Sequence, residues 1–332
     1  MSATKDFDKL FRSFRNVKVG VVGDIMLDTY WWGHVDRISP EAPVPVVALD
    51  KKEFRIGGAG NVAWNLVSLG ASAAVFSCVG ADAAGEQLAA LLKTNQIDTR
   101  YLLTAPKRIT TNKTRIISRQ QQMLRLDEEI TEDLSRKDED RLIESVAQFI
   151  RKEKPAVIIL EDYNKGVLTE SVIKAVVDLC KINGVITAVD PKRRSFFSFT
   201  QVDVFKPNLK EIREALHLIA EPPTLETLSR MHQQLQERLQ HQVSLITLSE
   251  LGLFYQQNKE AHIISSHYRN IADVSGAGDT VIAVAALVYS LTRDARLMAG
   301  MANIAGGIVC ETVGTAPIDK KRFLDECKTL LR

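Results

Sequence analysis

The chain lacks the features of a secreted, membrane-bound or zinc-binding protein. Its first seven residues contain no apolar signal-peptide core, and its longest apolar run, 281–289, is too short to cross a bilayer. The six histidines show no metal-binding spacing. The few cysteines form no Cys-x-x-Cys pair, so we expect reduced, buried thiols at Cys78, Cys180, Cys310 and Cys327. These absences predict a cytoplasmic protein with no membrane as a partner.

A strong excess of either charge is also missing. Lys and Arg number 43 against 41 Asp and Glu, so the net charge of +2 gives no electrostatic basis for binding nucleic acid. The 332 residues are 45% hydrophobic and 25% charged, which is typical of a globular protein with a substantial core. Neither an internal repeat nor a low-complexity linker divides them. We therefore expect one domain covering 1–332.

Apolar strands and amphipathic helices alternate along most of the chain. Strands are predicted at 17–24, 73–79, 156–161, 185–190, 202–206 and 243–248, with further β structure over 253–266. Helices are predicted at 8–14, 62–70, 85–94, 134–152, 169–183, 209–218 and 225–238, with two more after 266. Repeated strand–helix units favour an α/β fold, with helices on both faces of a mainly parallel sheet that binds ligands at its carboxyl edge.

Two β-rich segments, 28–56 and 99–127, interrupt this alternation. The first mixes tryptophan and proline with valine, and the second contains a hairpin with arms at 111–118 and 122–126. We expect the two segments to pair into one small β lid. The apolar side chains of its strands must be covered, which predicts a homodimer joined through the lids, involving Val44, Val46 and Leu49.

The segment 273–280, which reads Asp-Val-Ser-Gly-Ala-Gly-Asp-Thr, carries the clearest chemical signal. Gly276 and Gly278 allow a tight turn before the apolar run, so free amides should point outward at a helix N-terminus and bind an anion. Asp279 would take a proton from a hydroxyl that attacks a phosphoryl group held there. The alternative is an ordinary loop with Asp279 as the helix cap, and this segment alone favours neither reading.

A second glycine-rich segment, 57–63, contains the pattern G-x-G-x-x-A, with Asp82 downstream at a spacing that suits a ribose contact. A dinucleotide site should follow the first hydrophobic strand, whereas this segment follows the polar residues 51–55. A turn that brings Gly57, Gly58 and Asn61 against a polyol fits better. A plain helix start is the other interpretation.

These segments resemble the motifs of the ribokinase-like (PfkB-type) sugar kinases. The resemblance rests on Gly57, Gly58, Asn61 and Ala63, on the N-x-x-E element at 208–211, and on the Asp-x-x-Gly-Ala-Gly-Asp run at 273–279. It covers nearly the whole chain in order. It implies a three-layer α/β/α sandwich with a mainly parallel central sheet and a small β-sheet lid, and an ATP-dependent kinase that uses Mg²⁺.

Three further segments, 37–46, 161–166 and 247–252, are similar to the bacterial heptose-7-phosphate kinases. That resemblance implies phosphorylation of the anomeric hydroxyl of D-glycero-D-manno-heptose 7-phosphate, on the way to lipopolysaccharide core heptose. Many relatives carry a further adenylyltransferase domain with an H-x-G-H-type motif, which is absent here, so we expect a stand-alone kinase ending at Arg332. Ser249 stands where the broader family usually has glycine.

On the nucleotide side, the resemblance makes Asp279 the general base and assigns the phosphoryl group to the amides of Gly276, Ala277 and Gly278. Asn208 and Glu211 would hold Mg²⁺ mostly through water. ATP would also contact Thr247, Ser249, Gly252, Gly278 and Asn303. Lys206 would either assist with phosphate charge or end its strand in solvent. The sequence leaves open whether a monovalent cation activates the enzyme.

On the sugar side, the side chains of Asp24, Asn61 and Asp162 would accept hydrogen bonds from sugar hydroxyl groups. Turn capping is the alternative for each. A sugar phosphate also needs cations. Lys113 and Arg115 are two residues apart and share one face of a strand, and two further candidates are Lys165 and Lys192.

The sequence leaves rival functions open. The nearest is another kinase of the same family acting on a different sugar or sugar phosphate, which would keep Asp279 and its glycines. A non-catalytic sugar- or nucleotide-binding regulator is less favoured because a pure binder has no use for a base beside an anion site. A dehydrogenase ranks third.

Overall fold

The computed structural model describes residues 6–119 and 121–331, which form ten α-helices and thirteen β-strands. The strands are β1 (Lys18–Gly23), β2 (Ile25–Ile38), β3 (Pro45–Gly58), β4 (Ser72–Gly80), β5 (Leu102–Ala105), β6 (Asn112–Ser118), β7 (Gln121–Glu128), β8 (Val157–Glu161), β9 (Ile186–Asp190), β10 (Val204–Phe205), β11 (Val243–Thr247), β12 (Leu253–Gln257) and β13 (Glu260–Ile264). The helices are α1 (Phe7–Ser13), α2 (Ala59–Leu69), α3 (Ala83–Thr94), α4 (Arg136–Glu153), α5 (Glu170–Asn183), α6 (Leu209–Leu216), α7 (Leu225–Leu239), α8 (Ala277–Thr292), α9 (Ala295–Val309) and α10 (Lys320–Leu330).

Nine strands form the large sheet, in the order β13-β12-β11-β10-β9-β8-β1-β4-β5. Neighbouring strands run parallel except at one edge of the sheet, where the pairs β11–β12 and β12–β13 are antiparallel. One hydrophobic cluster packs α1, α2, α3, α8, α9 and α10 on one face, and a second packs α4, α5, α6 and α7 on the other. This arrangement confirms the predicted three-layer α/β fold.

The strand order places a ligand crevice at the carboxyl end of β1. From β1 the chain adds β4 and β5 on one side of the sheet, and β8 to β11 on the other side. Where successive connections leave in opposite directions, the helices on either side separate and open a crevice at the carboxyl edge. The segments that follow β1, β8, β9 and β10 therefore meet at one place.

The smaller sheet has the order β3-β2-β6-β7, and its strands are long and connected to the body through β1 and α2. It contains most of both β-rich segments. One part of the expectation was wrong: within 99–127, the strand Leu102–Ala105 pairs with β4 in the large sheet. Its residues Leu103 and Ala105 are buried in the cluster on one face of the large sheet, so this strand belongs to the main core.

The two faces of the smaller sheet differ in chemistry. Asp28 pairs with Lys113 and Tyr30 with Arg115 on the face toward the body, where Asp28 and Tyr30 are buried. Alternate residues point the other way. That outer face carries exposed or partly exposed apolar side chains, namely Trp31, Phe54, Leu124 and Leu126.

Several local predictions changed in detail. Three helices, not two, close the chain, because the segment Lys320–Leu330 forms an amphipathic helix that buries Phe323 and Cys327. The strand predicted at 202–206 is reduced to two residues. All four cysteines are buried and free, as expected. No helix in the described part of the chain is long and apolar enough to span a membrane.

Candidate active site

The glycine-rich turn before α8 forms the helix N-terminus that the sequence predicts. Gly276 caps the helix with a φ of +78°, a left-handed conformation that favours glycine. The Ala277 amide donates to the Val274 carbonyl at 3.2 Å, which differs from the expectation that it is free for a ligand. The amides of Gly278 and Asp279 lie in the first turn, where helix geometry provides no carbonyl partner. They are the donors best placed for an anion.

Asp279 lies buried in that first turn and accepts two hydrogen bonds. The Asn61 side-chain amide donates to Oδ2 at 2.8 Å, and the Tyr163 hydroxyl donates to Oδ1 at 2.7 Å. Burial raises the pKa of Asp279, and these two donors oppose that rise by stabilising the carboxylate. Asn61 is fully buried and holds Asp279, and its contact with the sugar stays a prediction.

Lys206 is also buried, which settles its environment. Its Nζ forms an ion pair with Asp190 Oδ2 at 2.7 Å, so it does not end its strand in solvent. A Cβ atom placed on Gly278 would lie 3.7 Å from Asp190 Oδ2 and 3.8 Å from Lys206 Nζ. The Lys206–Asp190 pair therefore lies directly beside the first turn of α8, where it places a cation near the free amides.

Glu161, at the end of β8, is the most unusual carboxylate in the crevice. It is 0% exposed, and neither side-chain oxygen has a hydrogen-bond partner within the described residues. Burial and the neighbouring charges of Asp190 and Asp279 raise the pKa of Glu161 well above its ordinary value. An unpaired buried charge is costly, and this cost is the physical cause of the raised pKa.

The N-x-x-E element begins α6 as a capping box. The Asn208 side chain accepts from the Glu211 amide, and Glu211 Oε2 accepts from the Asn208 amide, both at 2.8 Å. Glu211 Oε1 forms an ion pair with Lys192 Nζ at 2.7 Å. Lys192 also pairs with Asp190 at 3.2 Å, so it lies among these carboxylates, and its contact with the sugar phosphate stays a prediction.

These donors suit Mg²⁺ held through water. Carboxylate and amide oxygens are the ligands that Mg²⁺ prefers, and each oxygen here retains capacity for one more hydrogen bond, from a metal-bound water. Direct ligation would require Glu211 to give up Lys192 or the cap. The described residues contain no cluster of three or more His, Cys, Asp or Glu side chains with metal-site geometry.

The remaining nucleotide-side candidates are neighbours of this cap. Thr247 ends β11 and forms a bridge with Asn208. Ser249 and Gly252, with φ values of +54° and +101°, form the turn that follows. Asn303 on α9 donates to the Ser265 carbonyl at 2.9 Å, which ties that helix to the segment after β13. The structure thus brings Asn208, Thr247, Ser249 and Gly252 to one edge.

On the sugar side, Asp24 has a structural task that the sequence did not reveal. Its carboxylate is 1% exposed and accepts from three backbone amides, those of Tyr163, Lys165 and Val167. Its carbonyl accepts from the Ala59 amide, which holds the Gly57–Gly58 turn beside it. Asp24 therefore fixes the loop after β8, and because Oδ1 accepts only one of these bonds, its contact with a sugar hydroxyl stays a prediction.

Asp162 keeps one oxygen unpaired. Its Oδ1 accepts from the Asn164 amide at 2.7 Å, whereas Oδ2 is buried with no partner in the described residues. Burial, followed by the charge of Asp24, raises the pKa of Asp162 to about 7. Its position in the loop after β8 is the one expected, and its contact with substrate stays a prediction.

The cations converge between the smaller sheet and the body. Lys113 Nζ lies 5.7 Å from the centre of the Tyr163 ring, and burial followed by the charge of Lys165 lowers the pKa of Lys113. Lys165 pairs with Glu129 at 2.6 Å. Arg115 shares the sheet face of Lys113 and pairs with Asp28 at 2.7 Å, so Arg115 and Lys165 each already have a carboxylate partner, and the anion site at Lys113 and Arg115 stays a prediction.

Comparison with known proteins identifies the family. Residues 17–321 match the model of the pfkB family carbohydrate kinases. The chain belongs to this family. It is therefore a member of a family of ATP-dependent sugar kinases, which confirms the resemblance and excludes the dehydrogenase reading.

Curated relatives of this kinase share the name "Bifunctional protein HldE". The one from Desulfatibacillum aliphaticivorans is 38% identical over 310 residues, covering 92% of this chain and 62% of the relative. The one from Helicobacter pylori strain J99 is 36% identical over 299 residues, covering 90% and 64%. The kinase thus spans just under two thirds of the length of these relatives.

Solved structures show the same fold at low sequence identity. Phosphofructokinase-2 from Escherichia coli in complex with potassium superposes with a TM-score of 0.78 at 18% identity, covering 95% of this kinase and 99% of that chain. Arabidopsis thaliana ribokinase complexed with ribose and ATP has a TM-score of 0.72 at 17% identity, covering 93% and 98%. These likenesses confirm the ribokinase-like three-layer fold.

Sequence reasoning assigned no role to several residues that organise this site of the kinase. Tyr163 and Glu161 lay within a segment used only for the resemblance, and Asp190 ends a predicted strand at the ligand-binding edge. Asp28 and Asn65 left no local signal. Asn65 accepts from the Thr280 hydroxyl and the Ile318 amide, which ties α2 to α8 and the C-terminal segment.

Proposed function

We propose that the chain transfers the γ-phosphoryl group of ATP to the anomeric hydroxyl of D-glycero-D-manno-heptose 7-phosphate. The observation that carries the chemistry is the buried Asp279 carboxylate, held by Asn61 and Tyr163 beside the free amides of α8. The sugar is supported by relatives named HldE at 36–38% identity, and by the three segments similar to heptose-7-phosphate kinases. The product would be heptose 1,7-bisphosphate, a precursor for lipopolysaccharide core heptose.

Asp279 would accept the proton of the C1 hydroxyl while the oxygen of that hydroxyl attacks the γ-phosphorus atom of ATP. The bond from that phosphorus to the bridging oxygen of ADP breaks. The Gly278 and Asp279 amides, with Lys206 beside them, would stabilise the negative oxygens of the transferring group. In such a loose transfer, the hydroxyl loses its proton late, so positioning of the groups dominates catalysis.

Mg²⁺ is the proposed cofactor, and it would neutralise phosphate charge. Asn208 and Glu211 would hold its water molecules, since both present oxygen atoms at the edge that also holds Thr247. Thr247, Ser249, Gly252 and Asn303 stay our candidates for contacts with ATP.

The 7-phosphate of the sugar would bind between the smaller sheet and the body. Lys113 and Lys165 converge there from β6 and from the loop after β8, and burial, followed by repulsion from Lys165, lowers the pKa of Lys113. A dianionic phosphate relieves that repulsion and gains charge-assisted hydrogen bonds. The smaller sheet would then act as a lid that the sugar phosphate holds against the body.

A substrate panel tests the proposal. ADP release would be measured with Mg·ATP and heptose 7-phosphate, fructose 6-phosphate, fructose 1-phosphate, ribose or adenosine. We expect a strong preference for the heptose phosphate. Preference for another sugar would retain the kinase chemistry and reject the proposed substrate.

Two variants in the same assay separate the assigned roles. Asp279→Asn should lower turnover by roughly 10²–10⁴, the scale for loss of a positioned base, while ATP binding is retained. Lys113→Met should raise KM for the phosphorylated sugar by roughly 10- to 100-fold, because one charge-assisted contact is lost. The exposed Lys137→Met on α4 is the matched control. Unchanged turnover of Asp279→Asn would refute the base.

A further inference from the structure

Tyr163 joins three parts of the crevice although no local motif marks it. Its amide donates to Asp24 Oδ2 at 2.8 Å, so a buried carboxylate fixes its backbone. Its hydroxyl donates to Asp279 Oδ1 at 2.7 Å. Two lysine ammonium groups lie near its ring, with Lys113 Nζ at 5.7 Å and Lys192 Nζ at 5.6 Å from the ring centre. One side chain therefore contacts the base, a sugar-side cation and a nucleotide-side cation.

We infer that Tyr163 is a positioning residue for the phosphoryl transfer, and that it acts by fixing the orientation of the Asp279 carboxylate. Asn61 holds Oδ2 and Tyr163 holds Oδ1, so the carboxylate cannot rotate without losing a bond. Each carboxylate oxygen accepts about two hydrogen bonds, so one acceptor position per oxygen stays available for the substrate hydroxyl. This inference rests on the proposed role of Asp279 as base.

The two lysines near the Tyr163 ring belong to different parts of the crevice. Lys113 belongs to the smaller sheet, whereas Lys192 is tied to Glu211 and Asp190 on the nucleotide side. Ammonium groups near an aromatic ring are attracted to its electron-rich face. The ring therefore lies near one lysine of each proposed substrate site, and its hydroxyl donates a hydrogen bond to Asp279, the proposed base.

The phenol also sets the acid–base behaviour of Asp279. The charged groups around Asp279 are Glu161 from β8, Asp190 from β9 and Lys206 after β10. Burial raises the pKa of Asp279, and the donated bonds from Asn61 and Tyr163 lower it. The pKa of Tyr163 itself is raised well above its usual value by burial and by Asp279, so the phenol keeps its proton and remains a donor.

The test is the pH profile of kcat/KM for Tyr163→Phe, measured with the best sugar from the substrate panel. Loss of the Tyr163 hydroxyl should shift the acid limb to higher pH, on the order of one pH unit, because the ionised Asp279 carboxylate loses a hydrogen bond. We expect kcat to fall about 10-fold, with KM for ATP changed less than about two-fold. The position of the limb does not depend on what fraction of the protein is folded.

Tyr289→Phe is the matched control because it removes a hydroxyl from another buried tyrosine on α8. That hydroxyl accepts from the Gln257 side chain at 3.1 Å, away from Asp279. Its profile should coincide with that of the wild type. If Asp279→Asn is inactive while Tyr163→Phe keeps the wild-type acid limb and kcat, the inference about Tyr163 is wrong and the base is retained. If Asp279→Asn keeps full turnover, the proposed function fails first.

Discussion

At the scale of single residues, Glu161 shows how this crevice differs from a surface of ordinary charge pairs. Its carboxyl group is buried without a partner, beside Asp190 and Asp279 and near Lys192 and Lys206. Ionisation of Glu161 would place a third negative charge among the two lysines. Its raised pKa means that the folded state binds this proton more tightly than the unfolded state does.

We predict that Glu161→Gln changes how stability depends on pH. Because the folded pKa is raised, the wild type loses stability as pH rises above the unfolded value near 4.5, up to about 1.4 kcal/mol per pH unit. The glutamine amide cannot ionise, so the free energy of unfolding of the variant should rise relative to that of the wild type between pH 5 and pH 8. Urea unfolding at several pH values measures this difference.

The exposed Glu144→Gln, which alters surface contacts with Arg151 and Gln148, serves as the control. Its stability relative to the wild type should be nearly the same at each pH. A Glu161→Gln difference that stays flat across this range would show that Glu161 is already ionised in the folded protein.

Residue chemistry read from the sequence located the base but not its partners. Asp279 and its glycines lie within one short segment, so local geometry alone predicts an anion site with a carboxylate. Asn61 reaches Asp279 from 218 residues away, and Arg115 reaches Asp28 from 87 residues away. Such partners depend on packing between distant elements. From the sequence alone, an Asn in a glycine turn is equally compatible with binding a substrate and with holding another side chain in place.

At the scale of elements, the first turn of α8 contains two glycines with different constraints. Gly276 has a φ of +78°, and a Cβ there would lie 2.7 Å from the Asn61 side-chain nitrogen and 3.3 Å from Thr315 Cγ2. Gly278 has helical geometry and ordinary spacing to its neighbours. The protein itself requires glycine at the first position, whereas only a ligand would require it at the second.

We predict opposite effects on stability from the two alanine substitutions. Gly276→Ala should destabilise the protein by about 1–2 kcal/mol and lower activity, because it strains the backbone and displaces Asn61. Gly278→Ala should keep stability or raise it by roughly 0.5–1 kcal/mol, since alanine favours helices. Its added methyl group would crowd the phosphoryl group, so activity should fall.

Thermal unfolding and ADP release on both variants provide the comparison. Wild-type activity in a stable Gly278→Ala protein would argue against phosphoryl binding at these amides. An equally stable Gly276→Ala protein would show that the turn relaxes without disturbing Asn61.

Element positions followed from the sequence because periodicity and turn residues are local. Amphipathic patterns predicted α4, α5 and α7 closely, and apolar runs predicted β1, β8 and β9. The strand Leu102–Ala105 was assigned to the wrong sheet because its short sequence is equally compatible with either partner. The pairing of Leu102–Ala105 depends on the free edge of β4 beside it in the folded protein, and no local sequence pattern contains that information.

At the scale of the whole molecule, the outer face of the smaller sheet remains exposed in a single chain. Phe54, Leu124 and Leu126 are 38%, 51% and 44% exposed, and every residue of β7 is exposed. Apolar side chains grouped on a flat sheet face are typical of a surface that another protein covers. We propose that a second copy of this chain covers it.

We predict that the protein has twice its monomer mass of 36.9 kDa in light scattering. The double substitution Phe54→Glu and Leu126→Glu should yield monomers, because both changes place charge at the centre of the proposed interface. Ile182→Glu, at an 82% exposed apolar position on α5, should leave the dimer intact. A wild-type monomer at micromolar concentration would exclude this assembly.

The separation of Asn61 and Asp279 by 218 residues has a consequence during synthesis of the chain. A ribosome delivers Asn61 and Tyr163 long before α8 emerges, and until then both groups can bond only to water. The β-strands that end at the crevice can assemble first, but they lack the base and the helix amides. Phosphoryl transfer by the proposed mechanism therefore requires α8, and we expect a nascent chain that stops before Ala277 to consume no ATP.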